Sequence, residues 1–429
     1  MFASSGNTNL VKNTSHTVVI PFYLYAALSF LTATILLFFS TDAFTAHYFH
    51  PHTLAITHTM ALGWGTMIIL GASHQLVPVL IEGRLYSNFL GHLSFGFGAA
   101  GIPLLVYSFF NFQFQWQALT GAVLINAAIL SYLVNLAISI AQSKTENVHA
   151  VFVFMAAVWL FITTMVGLLL VWNFTDSILA NDSLHYLSLH AHIGIAGWLL
   201  MLVVGVGSRL IPMFLISKYD NSKKLWTIFF LLNGSLLTFI VVFFFPTYPL
   251  FYLIPIVGVL TALILFSMYC RAAYQQRIRK HVDEQMKISL VSVAMLLLPI
   301  ILLIVLVGSL LLAAGNSNLV LAYGFSVFFG WITAIIFGMT FKTLPFIVWN
   351  KIYHEKAGLG KTPNPNDLFS KKLFDIMGLT YLAGFGLFVA GILCSNTIVL
   401  QLATILLLAT AGLYNWNVMK VLLHKPLRK

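Results

Sequence analysis

The sequence predicts an all-α polytopic membrane protein with 12 transmembrane helices in three pseudo-symmetric sets of four. Three observations support this fold class. Of the 429 residues, 60% are hydrophobic and only 8% are charged, a composition typical of chains that reside in a bilayer. Twelve apolar segments are long enough to span that bilayer, and one motif recurs three times. We therefore treat residues 1–429 as a single transmembrane domain.

The twelve apolar segments follow one another with short polar connections. Each is long enough to cross about 30 Å of hydrocarbon as a helix. They lie at about 18–40, 53–80, 88–109, 119–141, 150–172, 187–216, 225–245, 250–270, 288–313, 319–347, 373–393 and 397–422. Grouped in fours, they predict internal repeats at about 18–141, 150–270 and 288–422.

The clearest motif occupies the sixth segment, between Leu184 and Phe214. His190 and His192 open this otherwise apolar helix, and a Gly-Trp pair follows at Gly197. Internal symmetry is common in membrane proteins, so the same pattern is expected to recur elsewhere in the chain.

Two further copies of the motif are present. In the first, 134 residues earlier, His58 stands at the position of His192, and a Gly-Trp pair begins at Gly63. In the other, 133 residues later than the central copy, the Gly-Trp pair begins at Gly330, but Phe325 replaces the histidine. The motif helix is the second of each set, which makes helices 2, 6 and 10 equivalent.

Positively charged residues mark one side of the membrane. Lys and Arg occur at the N-terminus, beginning with Lys12, then in the loops after every second helix and at the C-terminus. The opposite loops contain none of the 22 Lys and Arg residues. This asymmetry predicts cytoplasmic termini in a cell (inner) membrane. The net charge of +11 therefore reflects topology, which argues for the lipid bilayer as partner and against nucleic acid.

Histidines cluster at the predicted outer ends of helices 2 and 6. A histidine within a membrane helix indicates a functional site by default. Since His190 and His192 are about 200° apart around their helix, they point into different spaces. If helices 2, 6 and 10 line the centre, His58 and His190 face each other across one pore, and His192 points on towards helix 10.

Two opposed neutral imidazoles suit the axial positions of a haem iron, or two ligands of copper or another metal. We therefore predict His58, His190 and His192 as cofactor-binding residues. The alternative is that they hydrogen-bond backbone carbonyls or ordered water near the outer interface. His50 and His52, at the entrance of helix 2, fit either a metal-entry site or an ordinary interfacial loop. The candidate metal ligands are thus His58, His190, His192, His50 and His52.

Some kinds of chemistry are excluded by residues that the sequence lacks. None of the 11 Asp and Glu residues lies in the middle of a predicted helix, which argues against a proton relay or an ion-coupled transporter. The sequence also contains no CxxC, CxxCH or phosphate-binding loop.

The motif resembles the catalytic subunit (subunit I) of the haem–copper oxidases and nitric oxide reductases. That family has 12 helices in three pseudo-symmetric arcs, with helices 2, 6 and 10 innermost. The tenth helix of its C-type members carries an HxHxxxxGW pattern that ends in a Leu-Val-Pro-like turn. The run from His190 through Gly197 to Pro212 is similar to it. The run from His192 to Arg209 also resembles the NnrS-type membrane proteins, which are linked to nitric oxide stress.

The chain departs from that family at the metal centre. The family takes haem ligands from helix 10, where this chain has Tyr323 and Phe325. It takes copper ligands from helices 6 and 7, and helix 7 of this chain has no histidine. The resemblance therefore implies a divergent member without the copper site, and not an oxygen-reducing oxidase.

These observations lead to three functional hypotheses. In the first, the protein binds a b-type haem, with copper as the other candidate cofactor, and serves nitric oxide response or electron transfer. Any enzymatic activity would be that of a haem-dependent oxidoreductase. Its partners would be a cytochrome or other electron donor, or a second copy of the chain. The second is a transporter or assembly factor for haem or copper. The third is a structural partner of another membrane complex.

Overall fold

The computed structural model describes residues 14–143, 147–245, 248–278, 291–312, 315–356 and 362–426. These residues contain 12 helices that are long and apolar enough to cross a membrane, and no strand beyond one isolated bridge. The helices are α1 (His16–Phe39), α2 (Pro51–Leu80), α3 (Asn88–Asn111), α4 (Trp116–Ala141), α5 (Val148–Asp176), α6 (Leu187–Leu215), α7 (Ser222–Phe244), α8 (Pro249–Gln275), α9 (Val291–Leu311), α10 (Ser317–Tyr353), α11 (Lys371–Leu393) and α12 (Thr397–Leu422). The predicted fold class is confirmed: the chain is a multi-pass, all-α membrane protein.

Most helix ends agree with the apolar segments to within a few residues, because side-chain caps close the helices near the limits of the apolar core. Asn147 and Asn316 cap the first turns of α5 and α10 with their side-chain oxygens. The predicted start of helix 9 at residue 288 lies outside the described residues, as does Lys12, which supported the predicted orientation. The C-terminal end of α10 continues to Tyr353, beyond the predicted apolar limit at residue 347.

The three motif helices form the centre of the bundle. Of the most apolar stretch in each helix, 72% is buried in α2 and in α10, and 61% in α6, whereas only 17% is buried in α8. Helices with little burial inside the protein present their apolar side chains to lipid. The arrangement places α2, α6 and α10 where they can build a shared interior.

Each motif helix contains one π-helical segment at the same place in the motif. The segments are Thr59–Thr66, Ile193–Leu200 and Ser326–Ile332. Each begins directly after the position held by His58, His192 or Phe325 in its copy. A π segment widens one turn and changes the direction of the side chains around it, and such segments are frequent at functional sites.

Tryptophan hydrogen bonds connect the motif helices to each other. The Trp64 Nε1–H donates to Thr333 Oγ1 at 3.0 Å, which links α2 to α10. The Trp198 Nε1–H donates to Thr66 Oγ1 at 3.3 Å, which links α6 to α2. Thr66 and Thr333 occupy equivalent motif positions, and the third equivalent position holds Leu200. Leu200 has no hydroxyl, so its side chain cannot accept the equivalent hydrogen bond from α10.

Motif glycines allow the first helix of a set to approach the second. A Cβ added at Gly71 would lie 2.6 Å from the Phe22 Cβ of α1, and a Cβ added at Gly205 would overlap the Phe152 Cβ of α5. Both contacts are with atoms next to the backbone, which cannot rotate away. The glycines are thus packing elements, as close helix contacts in membranes require.

We expect Gly205→Ala to destabilise the protein by about 1–3 kcal/mol, because α5 and α6 have to move apart. Gly96→Ala in α3 is the matched control, since a Cβ there meets nothing within 4 Å. Alanine favours a helix over glycine by about 1 kcal/mol, so the control should be neutral or slightly stabilised. Thermal unfolding midpoints in detergent measure both. Equal midpoints for the two variants would contradict the packing role of Gly205.

Candidate cofactor site between α2 and α6

His58 is held in one tautomer by its own helix. It is the last residue before the π segment of α2, and its Nδ1 lies 2.8 Å from the Leu54 carbonyl oxygen. A carbonyl only accepts, so Nδ1 carries the proton and the Nε2 lone pair is free. The Phe109 ring of α3 stacks on the imidazole at 4.4 Å with an angle of 16° between the planes. His58 therefore has a fixed orientation and one nitrogen available to a ligand.

His190 stands opposite, on the first turns of α6. Its Nδ1 is buried and has no hydrogen-bond partner among the described residues. The ring also lies within reach of the Thr163 carbonyl of α5. Gly167, one turn further along α5, leaves space for the ring: a Cβ there would lie 3.0 Å from His190 Cε1. A buried nitrogen without a hydrogen bond lowers the stability of the folded protein, so this nitrogen is suited to bind a ligand.

The two imidazoles form a facing pair. Their ring centres are 6.4 Å apart, and the planes are inclined by 21°. Two histidines that each hold one metal ion through a nitrogen at about 2.0–2.1 Å have ring centres roughly 6.3 Å apart. The separation between the His58 and His190 ring centres is therefore wide enough for one metal ion between them.

Aromatic side chains cover this pair. Phe109 contacts His58 directly and has the Phe114 ring 5.5 Å away. Phe114 stacks on Phe174 of α5 at 4.0 Å, and Phe49 lies 6.2 Å from Phe174. This aromatic cluster, Phe49, Phe109, Phe114 and Phe174, begins at the His58 ring and adds apolar surface on that side of the pair. Such surroundings suit an apolar macrocycle such as haem.

His192 belongs to a different space. Its Nδ1 donates to the Ser188 carbonyl at 2.8 Å, and its ring lies 5.1 Å from Phe239 of α7. The Tyr323 ring of α10 stacks on it at 5.8 Å with an angle of 17°. The ring therefore points towards α7 and α10, as the 200° separation from His190 predicts. His192 remains a candidate ligand for a second site.

His50 and His52 lie at the entrance of α2. The backbone N–H of His52 donates to His50 Nδ1 at 3.3 Å, which caps the helix. This bond occupies the Nδ1 lone pair and leaves the proton on Nε2, so His50 has no lone pair for a metal in this arrangement. His52 stacks on Phe110 at 4.2 Å. The metal-binding role of His50 and His52 stays a prediction.

No three His, Cys, Asp or Glu side chains converge to hold a metal ion within the described ranges. A site built from two protein ligands fits a haem, whose macrocycle supplies the other four nitrogens, better than it fits a bare copper ion. The sequence predicted His58 and His190 as cofactor-binding residues, and this role stays a prediction; Phe109, Thr163 and Gly167 carry no motif that would have marked them.

Comparison with known proteins gives the fold. No protein-family model matches the sequence, and no curated protein does. Chains of solved structures do match. One is a haem–copper terminal oxidase dimer solved by cryo-EM, with a TM-score of 0.59 and 11% sequence identity over 97% of this chain and 86% of that chain. The chain thus has the fold of that oxidase.

Proposed function

We propose that this chain is a divergent member of the haem–copper oxidase superfamily that holds one b-type haem between His58 and His190. The observation that carries the proposal is the facing pair, with ring centres 6.4 Å apart. The haem would serve electron transfer or a response to nitric oxide. An electron donor such as a cytochrome, or a second copy of the chain, would be the partner.

Each residue of the site has a definite part in this proposal. The Leu54 carbonyl keeps the proton of His58 on Nδ1 and leaves Nε2 free to hold a haem. His190 would hold the same haem from α6, in the space that Gly167 leaves free. A haem bound here would supply reversible transfer of one electron. The aromatic cluster would place apolar side chains beside it.

Oxygen reduction does not fit these residues. Helix α7 contains no histidine, and α10 presents Tyr323 and Phe325 at the positions equivalent to His190 and His192. The side chains that the resemblance requires for a copper beside a haem are therefore missing. We propose a haem protein without that second metal.

The visible spectrum of the purified protein tests the proposal. The protein is expressed with a supply of haem, purified in detergent, and measured as a reduced-minus-oxidised difference. We expect sharp bands of a low-spin b-type haem. Nitric oxide added to the reduced protein then separates the two roles: displacement of the bands favours gas response, and unchanged bands favour electron transfer. A colourless protein would contradict the haem proposal.

A transporter or assembly factor for haem or copper is the second candidate. The observation in its favour is the group of accessible histidines outside the pair, with the exposed His47 near the entrance and the rings of His50 and His52 5.2 Å apart. Such a protein would bind copper or haem that a soluble chelator removes within minutes. Loss of exchange in His52→Ala would support this candidate, and cofactor that resists the chelator would reject it.

A further inference from the structure

A large cavity occupies the opposite end of the bundle from the histidine pair. Its volume is about 1220 Å³, above the range of about 300–1,000 Å³ that is usual for small-molecule sites. Segments of α2, α6, α8, α9 and α10 line it, and neither His58 nor His190 is among the lining residues. Trp331 and Leu200 line its deep end, near the middle of their helices. The cavity is therefore a separate site.

Most of the cavity wall is apolar, and three of its hydroxyl groups, those of Tyr23, Thr340 and Thr343, already have hydrogen-bond partners. The Tyr23 and Thr343 hydroxyls lie 2.8 Å apart. Thr340 pairs with the Tyr414 hydroxyl at 3.0 Å. Most other lining side chains are Ile, Leu, Val, Met and Phe. Because water in a cavity needs several polar partners, the occupant of this space is apolar over most of its length.

The mouth of the cavity carries positive charge. Arg271 of α8 and Lys342 of α10 both line it, and the Arg271 side chain is exposed. The Lys342 ammonium lies 5.0 Å from the centre of the Phe214 ring. Asp367 also lies here, and its carboxylate keeps its negative charge while it accepts the Asn364 backbone N–H at 2.9 Å. Two cations and one carboxylate give these lining residues a net positive charge, which favours an anionic group.

The depth of the cavity fits one leaflet of a membrane. The α10 residues that line the cavity run from Trp331 to Ile347, 16 positions or about 24 Å of helix, with Lys342 about 16 Å from Trp331. One leaflet contributes about 15 Å of hydrocarbon, or about 20–22 Å with its headgroup region. An acyl chain that enters at the mouth would thus end near Trp331. Charge, depth and apolar wall together select an amphiphile from the bilayer itself.

We propose that this cavity binds an anionic phospholipid, with the headgroup at Arg271 and Lys342 and an acyl chain between α2, α6, α8, α9 and α10. Basic pockets between transmembrane helices are known to hold anionic headgroups, and each Lys or Arg near the surface contributes about a fivefold gain in affinity. The lipid would fill the space between α8 and the central helices, and so would stabilise the bundle.

Native mass spectrometry of the full chain in detergent tests this proposal. Phosphatidylglycerol and phosphatidylcholine of equal chain length are added in parallel. We expect phosphatidylglycerol to bind more tightly, and Arg271→Gln and Lys342→Gln each to weaken it roughly fivefold. Lys420→Gln is the matched control, because Lys420 is exposed on α12 and does not line the cavity. It should leave binding unchanged.

A second variant tests the acyl chain separately. Ala72 lines the cavity from α2, and Ala72→Phe would fill part of the space that the chain needs. Val123→Phe adds bulk on the exposed face of α4 and serves as its control. Reduced phosphatidylglycerol binding in Ala72→Phe alone supports the proposal. Equal binding of the two lipids would overturn the proposal. A surface anion site would also overturn it, and would be indicated if millimolar inorganic phosphate displaced the lipid while Ala72→Phe still bound it fully.

Discussion

His58→Ala and His190→Ala should each remove the haem from the purified protein. Either change leaves one axial position without a ligand inside a bundle whose fold does not depend on the imidazole. Loss of a residue that only orients a metal ligand already costs about 10–100-fold in affinity, so loss of the ligand itself should cost at least as much. The haem content per protein, measured from the pyridine haemochrome, should fall below about a tenth of the wild-type value.

His192→Ala is the matched control for these two variants. The three histidines lie at the same end of the bundle, but the His192 ring contacts Phe239 and Tyr323 and not the facing pair. We expect full haem content in this variant. Haem that persists in both His58→Ala and His190→Ala, or that disappears in His192→Ala alone, would contradict the assignment of the pair.

Gly167→Val should remove the haem although both histidines remain. A Cβ at residue 167 would lie 3.0 Å from His190 Cε1, and the two methyl groups of valine extend further towards the ring. The imidazole then has to turn away from His58, which destroys the spacing of 6.4 Å. A displacement of the ring by about 1 Å should already lower the affinity for haem, because a binding site has to hold its geometry within about 0.5 Å. Haem content should fall several-fold, with a smaller loss in Gly167→Ala.

Gly96→Val separates this local effect from the general effect of valine in a helix. A Cβ at Gly96 meets nothing within 4 Å, and this glycine is also in the interior of a long helix. Both variants change intrinsic helix propensity by the same amount, because valine replaces glycine in each, so the difference between them reports the contact with His190. Comparable haem loss in Gly96→Val and Gly167→Val would show that Gly167 has no special role.

The sequence was sufficient to predict the fold because hydropathy alone defines spans in a membrane protein. Twelve segments were predicted and 12 helices are present among the described residues. The π segments were not predicted, since one extra residue in a turn leaves no mark on an apolar helix. The hydrogen bonds of Trp64 and Trp198 were not predicted either, because their partners become visible only when the helices are packed together.

Half of the candidate site could be predicted from two simple facts. Histidine is rare inside membranes, and His190 and His192 must point apart on one helix. The remaining residues could not be predicted, because Phe109, Thr163 and Gly167 reach the site from helices whose rotation the sequence does not specify. The helix-capping role of His50 was likewise not predicted, because it depends on the backbone geometry at the start of α2; its role as a metal ligand stays a prediction.

Electron paramagnetic resonance of the oxidised, haem-loaded protein tests the central claim most directly. Two imidazole nitrogens on opposite sides of one iron give a strong ligand field, and the account predicts a low-spin ferric signal that accounts for all of the haem. The same spectrum should show high-spin iron in any residual haem of His58→Ala or His190→Ala. A high-spin signal in the wild-type protein would show that His58 and His190 do not hold the iron together, and would contradict the account.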